Sequence, residues 1–394
     1  MVGRTLLAVF FFQFLSPSIW AQVSPESAEK YSNGQIFFNK RRYPDALKAF
    51  EGAVKLDAKN AQAYRAMGKT YQKMRNYDKS IEAYQMATTV KTDYAAAYFE
   101  LGQLQLQRKK FSNAQNSFQS VLKINPDFEK GKPREFLKVA YLKQGIVYFK
   151  QKNYKDAAAQ YENASQIDPS DATVFYNKGL AHRGSRNYTK AENAFQTAIE
   201  LDSLYAKAFK SLGDLYKITR KNSQAIKNYR KAMELDPKKI STYLNLAKVY
   251  TDIKQPRKAE NILKQGTSIS PNDVKLFTSL GFAQAQQKHY KNAIKSFKTA
   301  ISFNRKSFEA HYRISVAYFE IKQYKTAISS AKKASKSSKY RVPANVVMAD
   351  SYEAIGNKTK AIQHYKVGIS NRRYKKYCED KIDRILNPMG TDEK

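Results

Sequence analysis

Residues 206–239 read AKAFKSLGDLYKITRKNSQAIKNYRKAMELDPKK, and the rest of the chain is organised around this stretch. Phe209, Leu212, Gly213 and Tyr216 recur at i, i+3, i+4 and i+7, the spacing that gathers side chains on one helical face. Ala225, Tyr229 and Ala232 repeat the pattern in the second half, and Pro237 then withholds the N–H that a continuing helix would need. The spacing therefore predicts two helices. The small residues Gly213, Ala225 and Ala232 stand where two antiparallel helices would approach most closely, and the rings of Phe209, Tyr216 and Tyr229 would fill the space around them. The unit is an αα-hairpin with one apolar seam.

Copies of this unit begin at Ser27, Ala61, Ala95, Lys138, Ala172, Ala206, Ile240, Val274, Phe308 and Val342. Their eighth position holds Gly34, Gly68, Gly102, Gly145, Gly179, Gly213, Ala247, Gly281, Ser315 and Ala349, all small. The twentieth position is Ala in nine copies and Ser80 in the other, and the twenty-fourth is aromatic in eight, from Phe50 and Tyr84 to Phe297 and Tyr365. Ala331 of the ninth copy stands where a ring is expected, and the terminal Pro survives only as Pro126, Pro169, Pro237 and Pro271. This 34-residue pattern resembles the tetratricopeptide repeat family. The resemblance implies an all-α, right-handed α-α superhelix, here a solenoid of ten repeats plus a C-terminal capping helix, about twenty-one helices in all.

Residues 1–21 read as a signal peptide: Arg4 precedes an apolar run from Leu6 to Phe14, too short for a permanent span, and Ala21 offers a cleavage point. The expected location is therefore the periplasm or cell envelope, or outside the cell. Repeats 1–3 occupy 27–128. An insertion at 129–137 follows, in which Gly131 and Pro133 mark a loop and a helix start, while Phe136 and Leu137 could lengthen the next helix and cover the fourth repeat's seam. It is either a tolerated surface insertion or a joint between two segments. Repeats 4–10 run over 138–375. Tyr374, Tyr377, Cys378, Lys381, Ile382 and Ile385 then recur at helical spacing, so 374–387 reads as a helix covering the last seam, with a tail at 388–394.

Little in the chain suggests catalysis. Cys378 is the only cysteine, which excludes an intramolecular disulfide and a cysteine-rich metal site. His182 and His311 fill aromatic slots of the repeat, and no histidine pair has metal-ligand spacing. Nucleophile elbows and phosphate-binding glycine loops are absent. The expectation is a non-enzymatic protein without cofactor or metal.

Seventy Lys and Arg against 34 Asp and Glu give a net charge of +36, which keeps a long array soluble or favours acidic partners. The charge is densest late in the chain: 274–307 and 321–341 each hold seven Lys or Arg and no carboxylate. The resemblance implies that positions 2, 5, 9, 12 and 13 of each repeat line a concave groove. Those positions supply Phe99, Leu106, Leu142, Ile146, Phe149, Tyr176 and Leu180 in repeats three to five. They supply Lys207, Lys210, Lys217, Lys248 and Lys275, with Asp214 and Asp252, in repeats six to eight, and Phe282, Tyr312, Val316 and Phe319 after that. A third to a half of the groove rings are expected to pack on neighbouring helices. The family's device for gripping a peptide C-terminal carboxylate is matched by Lys210, Asn245 and Lys275, whereas Asp214 and Ser279 depart from it.

Two function classes fit. One is an exported scaffold that holds a protein or peptide segment, acidic or mixed apolar and acidic, in the groove, and helps assemble an envelope complex. The other is a binder of an anionic polymer or lipid surface, such as cell-wall glycan, lipopolysaccharide or nucleic acid, through Lys-rich faces. Export disfavours nucleic acid.

Overall fold

A computed structural model describes residues 23–387, so the expected signal segment and the tail at 388–394 lie outside the described residues. The chain divides into two compact units, one ending at Pro169 and one starting at Ser170, and the division falls four repeats in rather than at the 129–137 insertion. Unit 1 contains α1 (Pro25–Asn39), α2 (Tyr43–Leu56), α3 (Ala61–Lys73), α4 (Tyr77–Val90), α5 (Ala95–Gln107), α6 (Phe111–Ile124), a 3-10 turn (Phe128–Gly131), α7 (Lys132–Lys150) and α8 (Tyr154–Ile167). Unit 2 contains α9 (Ala172–Gly184), α10 (Tyr188–Leu201), α11 (Ala206–Ile218), α12 (Asn222–Leu235), α13 (Ile240–Asp252), α14 (Pro256–Ile269) and α15 (Val274–Gln286). It continues with α16 (Tyr290–Phe303), α17 (Phe308–Glu320), α18 (Tyr324–Ala334), α19 (Ser338–Ala354), α20 (Lys358–Ile369) and α21 (Lys375–Leu386). No strand occurs among the described residues. Within each unit, helices pack in chain order, first helix on second helix and second helix on the next first helix. This is the all-α solenoid that the resemblance implied.

The seam is a lock between positions 8 and 24. A Cβ added at Gly213 would meet the Tyr229 ring at 2.8 Å, and one added at Gly281 would meet Phe297 at 2.6 Å, so the absent side chain lets the ring lie on the backbone. In the same register Ala247 is matched by Leu263 and Ser315 by Ala331, so in these two repeats a larger position 8 goes with a smaller position 24, whereas in the tenth repeat Ala349 keeps Tyr365 beside it. In the ninth repeat Ala331 clusters with Ala334 of its own helix and with Ala344, Val347 and Met348, which supply the missing bulk from the next hairpin. Side-chain caps start several helices: Asn60 accepts from Ala63, Asn187 from Lys190 and Asp273 from Lys275 and Leu276.

The insertion turns through Glu129, Lys130 and Gly131, all at positive φ, before α7 begins. That helix has 19 residues where most first helices have 13, so the expected extra turn is present. The rings it meets belong to the third repeat: Phe136 stacks on Phe118 at 5.6 Å and stands edge-on to Phe99 at 5.6 Å. At the far end α21 covers Val346, Ala349 and Tyr365 and buries Cys378 completely.

Candidate functional site

Neighbouring first helices of unit 2, α9, α11, α13, α15, α17 and α19, touch one another directly, so their outward positions share one layer. Its cationic section is organised by Asp214. The Asp214 carboxylate accepts from Tyr229 Oη at 2.6 Å, Lys210 Nζ at 2.8 Å and Asn245 Nδ2 at 2.9 Å, and Arg183 approaches it at 3.8 Å. Asn245 is oriented by a second bond, accepting from Lys217 Nζ at 3.2 Å. Lys210 and Asn245 are therefore engaged by a carboxylate of the chain itself. Lys275 is exposed at the start of α15, so the structure does not bring the three clamp-like residues around one open point.

Positive charge is in excess here. Lys248 pairs with Asp252 at 3.1 Å, so Arg183, Lys210, Lys217 and Lys248 face only two carboxylates. Lys217 sits among these charges partly buried: burial holds its ammonium below the usual lysine range, Asp214 and Asp252 oppose the shift, and the charges of Lys210 and Lys248 reinforce it. An incoming carboxylate would relieve this cost. Lys207 lies exposed on α11.

Two turns of the array further on, the groove is apolar. Phe282, Tyr290, Phe297, Tyr312 and Val316 wall a cavity of about 260 Å³, with Arg313 and Glu320 at its polar edge. Arg313 lies over the Phe282 ring at 4.1 Å and is held by Glu309 at 2.9 Å, while Glu320 accepts from Tyr290 Oη at 3.2 Å. Phe282, Tyr312 and Val316 are groove positions singled out from sequence, and the fold brings them together. Tyr312 is partly engaged: it stacks on Tyr340 at 5.7 Å, and burial together with the Tyr374 hydroxyl pushes its phenol up to about 12. Phe319 packs on Tyr324 at 5.6 Å. A larger open cleft of about 470 Å³, walled by Arg230, Tyr243, Tyr250 and Lys258 among others, contains no groove position.

The remaining expected residues are distributed unevenly. Phe99 is only 4% exposed, closed over by Phe128 and Phe136, so its ring belongs to the core of unit 1 and not to an open groove. Leu106, Leu142 and Phe149 are half-buried, Phe149 against Tyr154, and Ile146 is exposed. Tyr176, in unit 2, leans on Phe195 and Tyr205, and with Leu180 flanks the Asp214 region's core. Arg183 and Arg313 were not singled out from sequence. Arg183 stands at position 12, a groove position, whereas Arg313 at position 6 is not one, and the roles of both depend on partners one repeat away.

Tetratricopeptide repeat descriptions match residues 34–74 and 140–183, 65–127, and 172–203 and 308–339, and the cytochrome c-type biogenesis protein H TPR domain matches 205–307. The chain belongs to the tetratricopeptide repeat family. Among solved structures it is similar to the C-terminal part of a TPR repeat-containing protein from Cytophaga hutchinsonii, with 17% identity over 61% of this chain and 98% of that one and a TM-score of 0.51. It is also similar to yeast Tom70, with 17% identity over 93% and 97% and a TM-score of 0.42. A third is YrrB, described as a TPR protein with an unusual peptide-binding site, with 18% identity over 52% and 97% and a TM-score of 0.40. At these identities the likeness concerns the fold. No curated protein sequence matches the chain.

Proposed function

We propose that this TPR protein is an exported, non-enzymatic scaffold that holds an extended segment of a partner protein along the first-helix layer of unit 2 and helps assemble an envelope complex. The observation that carries this reading is the occurrence, on one layer and two repeats apart, of the cation-rich cluster around Asp214 and the Phe282–Tyr312–Val316 cavity. The cavity suits one apolar side chain, and Lys217 suits a carboxylate, so the fitting segment is mixed apolar and acidic. Interfaces draw most of their free energy from a few such buried anchors. The segment 205–307 contains the Asp214 cluster and Phe282 and resembles a TPR domain named for cytochrome c biogenesis, which favours an assembly task over catalysis.

The test is affinity capture from an envelope fraction by the mature wild-type protein, by Phe282→Ala and by Lys217→Gln, with quantified recovery. Phe282→Ala is expected to reduce recovery of a specific partner by about tenfold or more, the size of a buried aromatic anchor. Lys217→Gln is expected to weaken it chiefly at low salt. Equal recovery by all three proteins would overturn the groove reading. N-terminal sequencing of the native protein checks export, which requires a chain beginning after Ala21; Met1 retained in a cytoplasmic fraction would remove the envelope role.

A further inference from the structure

Each repeat joins its two helices through a residue in the left-handed region, and in unit 2 that residue is Arg186, Arg220, Lys254, Lys288 and Lys322, with φ between 59° and 62°. Only the tenth repeat uses glycine there, Gly356 at φ 77°. A Cβ in this region is disfavoured and glycine is the relaxed choice, so local backbone preference does not explain basic side chains at five successive turns. All five are exposed, and among the described residues none has an ion-pair partner.

The next element repeats the anomaly. Helix N-termini favour carboxylates in their first turn, yet α10, α12, α14, α16, α18 and α20 have none there. In unit 1 the turns are basic as well, at Arg41, Arg75, Lys109 and Lys152, but α2, α4 and α8 carry Asp45, Asp78 and Asp156 in the first turn that follows, and α6 has none. In unit 2 the same turn edge also opens into a cleft of about 430 Å³ whose charged lining is Lys254, Arg257 and Lys258, without a carboxylate. The first helices α9, α11, α13, α15 and α19 also lack a first-turn carboxylate, so what sets this edge apart is the row of exposed basic residues held at left-handed positions against local backbone preference, beside a cleft without a carboxylate.

We propose that the turn edge of unit 2, from Arg186 to Lys322, binds a flexible single-chain anionic glycan, whose sulfate, phosphate or carboxylate groups meet successive turns. Directly touching helices stand about 8–10 Å apart, so the first helices place one basic turn at about that interval, a step that a linear polyanion can follow. Successive repeats in a solenoid are rotated by a small angle, so a flat bilayer or straight duplex would meet only part of such a row, whereas a flexible chain can follow it. Single-stranded nucleic acid would need free ring faces for stacking. The tyrosines beside the turns are engaged: Tyr290 donates to Glu320, Tyr324 packs on Phe319, and Tyr188 lies against the core. The edge therefore offers charge and little else.

The experiment uses the full mature protein and a fluorescent heparin oligosaccharide as probe, read by anisotropy at about 150 mM salt. In the turn variant Arg186, Arg220, Lys254, Lys288 and Lys322 become Gly, which the left-handed turns accept, so folding should be retained; the same five positions changed to Asn give a second version. The control changes Lys238, Lys239, Arg305, Lys306 and Lys336 to Gln, an equal charge loss on the opposite connections. Both turn variants are expected to bind about tenfold or more weakly with a flatter salt dependence, and the control to stay within about threefold of wild type. Equal loss in the control, or unchanged binding by the turn variants, would overturn the proposal. Tighter turn-dependent binding to oligo-dT or to phosphatidylglycerol vesicles would overturn the assignment to glycan.

Discussion

At Gly281 the distance of 2.6 Å between an added Cβ and the Phe297 ring states how the whole solenoid is specified. Gly281→Ala gains helix propensity but overfills the seam, and overpacking costs about 1–3 kcal/mol, so a net loss of stability is expected in urea unfolding. Adding Phe297→Leu reproduces the natural Ala247–Leu263 pair and is expected to recover part of that loss; strictly additive effects would show that the two positions do not form one lock. Asp350 gives a second residue-scale expectation. Its Oδ1 accepts from Tyr365 at 2.6 Å and Tyr377 at 2.8 Å, while burial raises its pKa above the ordinary carboxylate value, with Glu353 adding and the tyrosines and Lys381 opposing. A folded-state pKa above the unfolded one means that the native state binds the extra proton, so this group's contribution to stability falls as pH rises through the folded value. Asp350→Asn keeps an Oδ1 for both hydroxyls and removes the charge. It is expected to stabilise at pH 7, with the gain shrinking as pH falls and Asp350 itself becomes protonated; a difference independent of pH would refute the assignment.

Among the elements, α21 has the clearest individual task. Removing the chain from Tyr374 onward would uncover Val346, Ala349 and Tyr365 and take Tyr377 from Asp350. The truncated protein is expected to aggregate where the full chain stays monodisperse in light scattering. Cys378 reports the same contact in the intact protein. It is fully buried and its thiol is pushed up to about 11 by burial, with Asp350 and Glu379 adding, so a thiol reagent should label it only when α21 opens. The helix pairs and this covering helix were legible in sequence because each depends on spacing within one hairpin. Features that join hairpins were not. Phe99 reads as a groove ring until Phe136 of the insertion closes over it, and Asp214 reads as a misfit in a carboxylate clamp until Tyr229, Lys210 and Asn245 converge on it. Nor was the start of α19 at Ser338 legible, four residues before the tenth copy's first position, since Pro343 stands inside that helix and forgoes one backbone hydrogen bond there.

For the molecule as a whole, each of the two units has core clusters of its own. The core cluster that runs from Ala191 through Tyr229 and Leu263 to Ala283 draws every member from unit 2, and the clusters around Phe50 and Tyr84 draw theirs from unit 1. A fragment comprising 170–394 is therefore expected to keep the helical signal per residue of the intact chain and to unfold cooperatively; a fragment without that signal would show that unit 2 borrows its order. The basic turns give this whole-molecule question its own reporter. Arg41, Arg75, Lys109, Lys152 and the five turn residues of unit 2 are each a trypsin site held in a turn too tight to enter a protease cleft. Cutting at any one of them requires its hairpin to open, and no such site exists in the tenth repeat, where Gly356 replaces the base. Under mild digestion, a new chain end mapped to one of these bases names the repeat that opened, end sequencing separating it from cuts at the chain's other Lys and Arg, so the positive-φ bases double as a numbered record of local unfolding along the array.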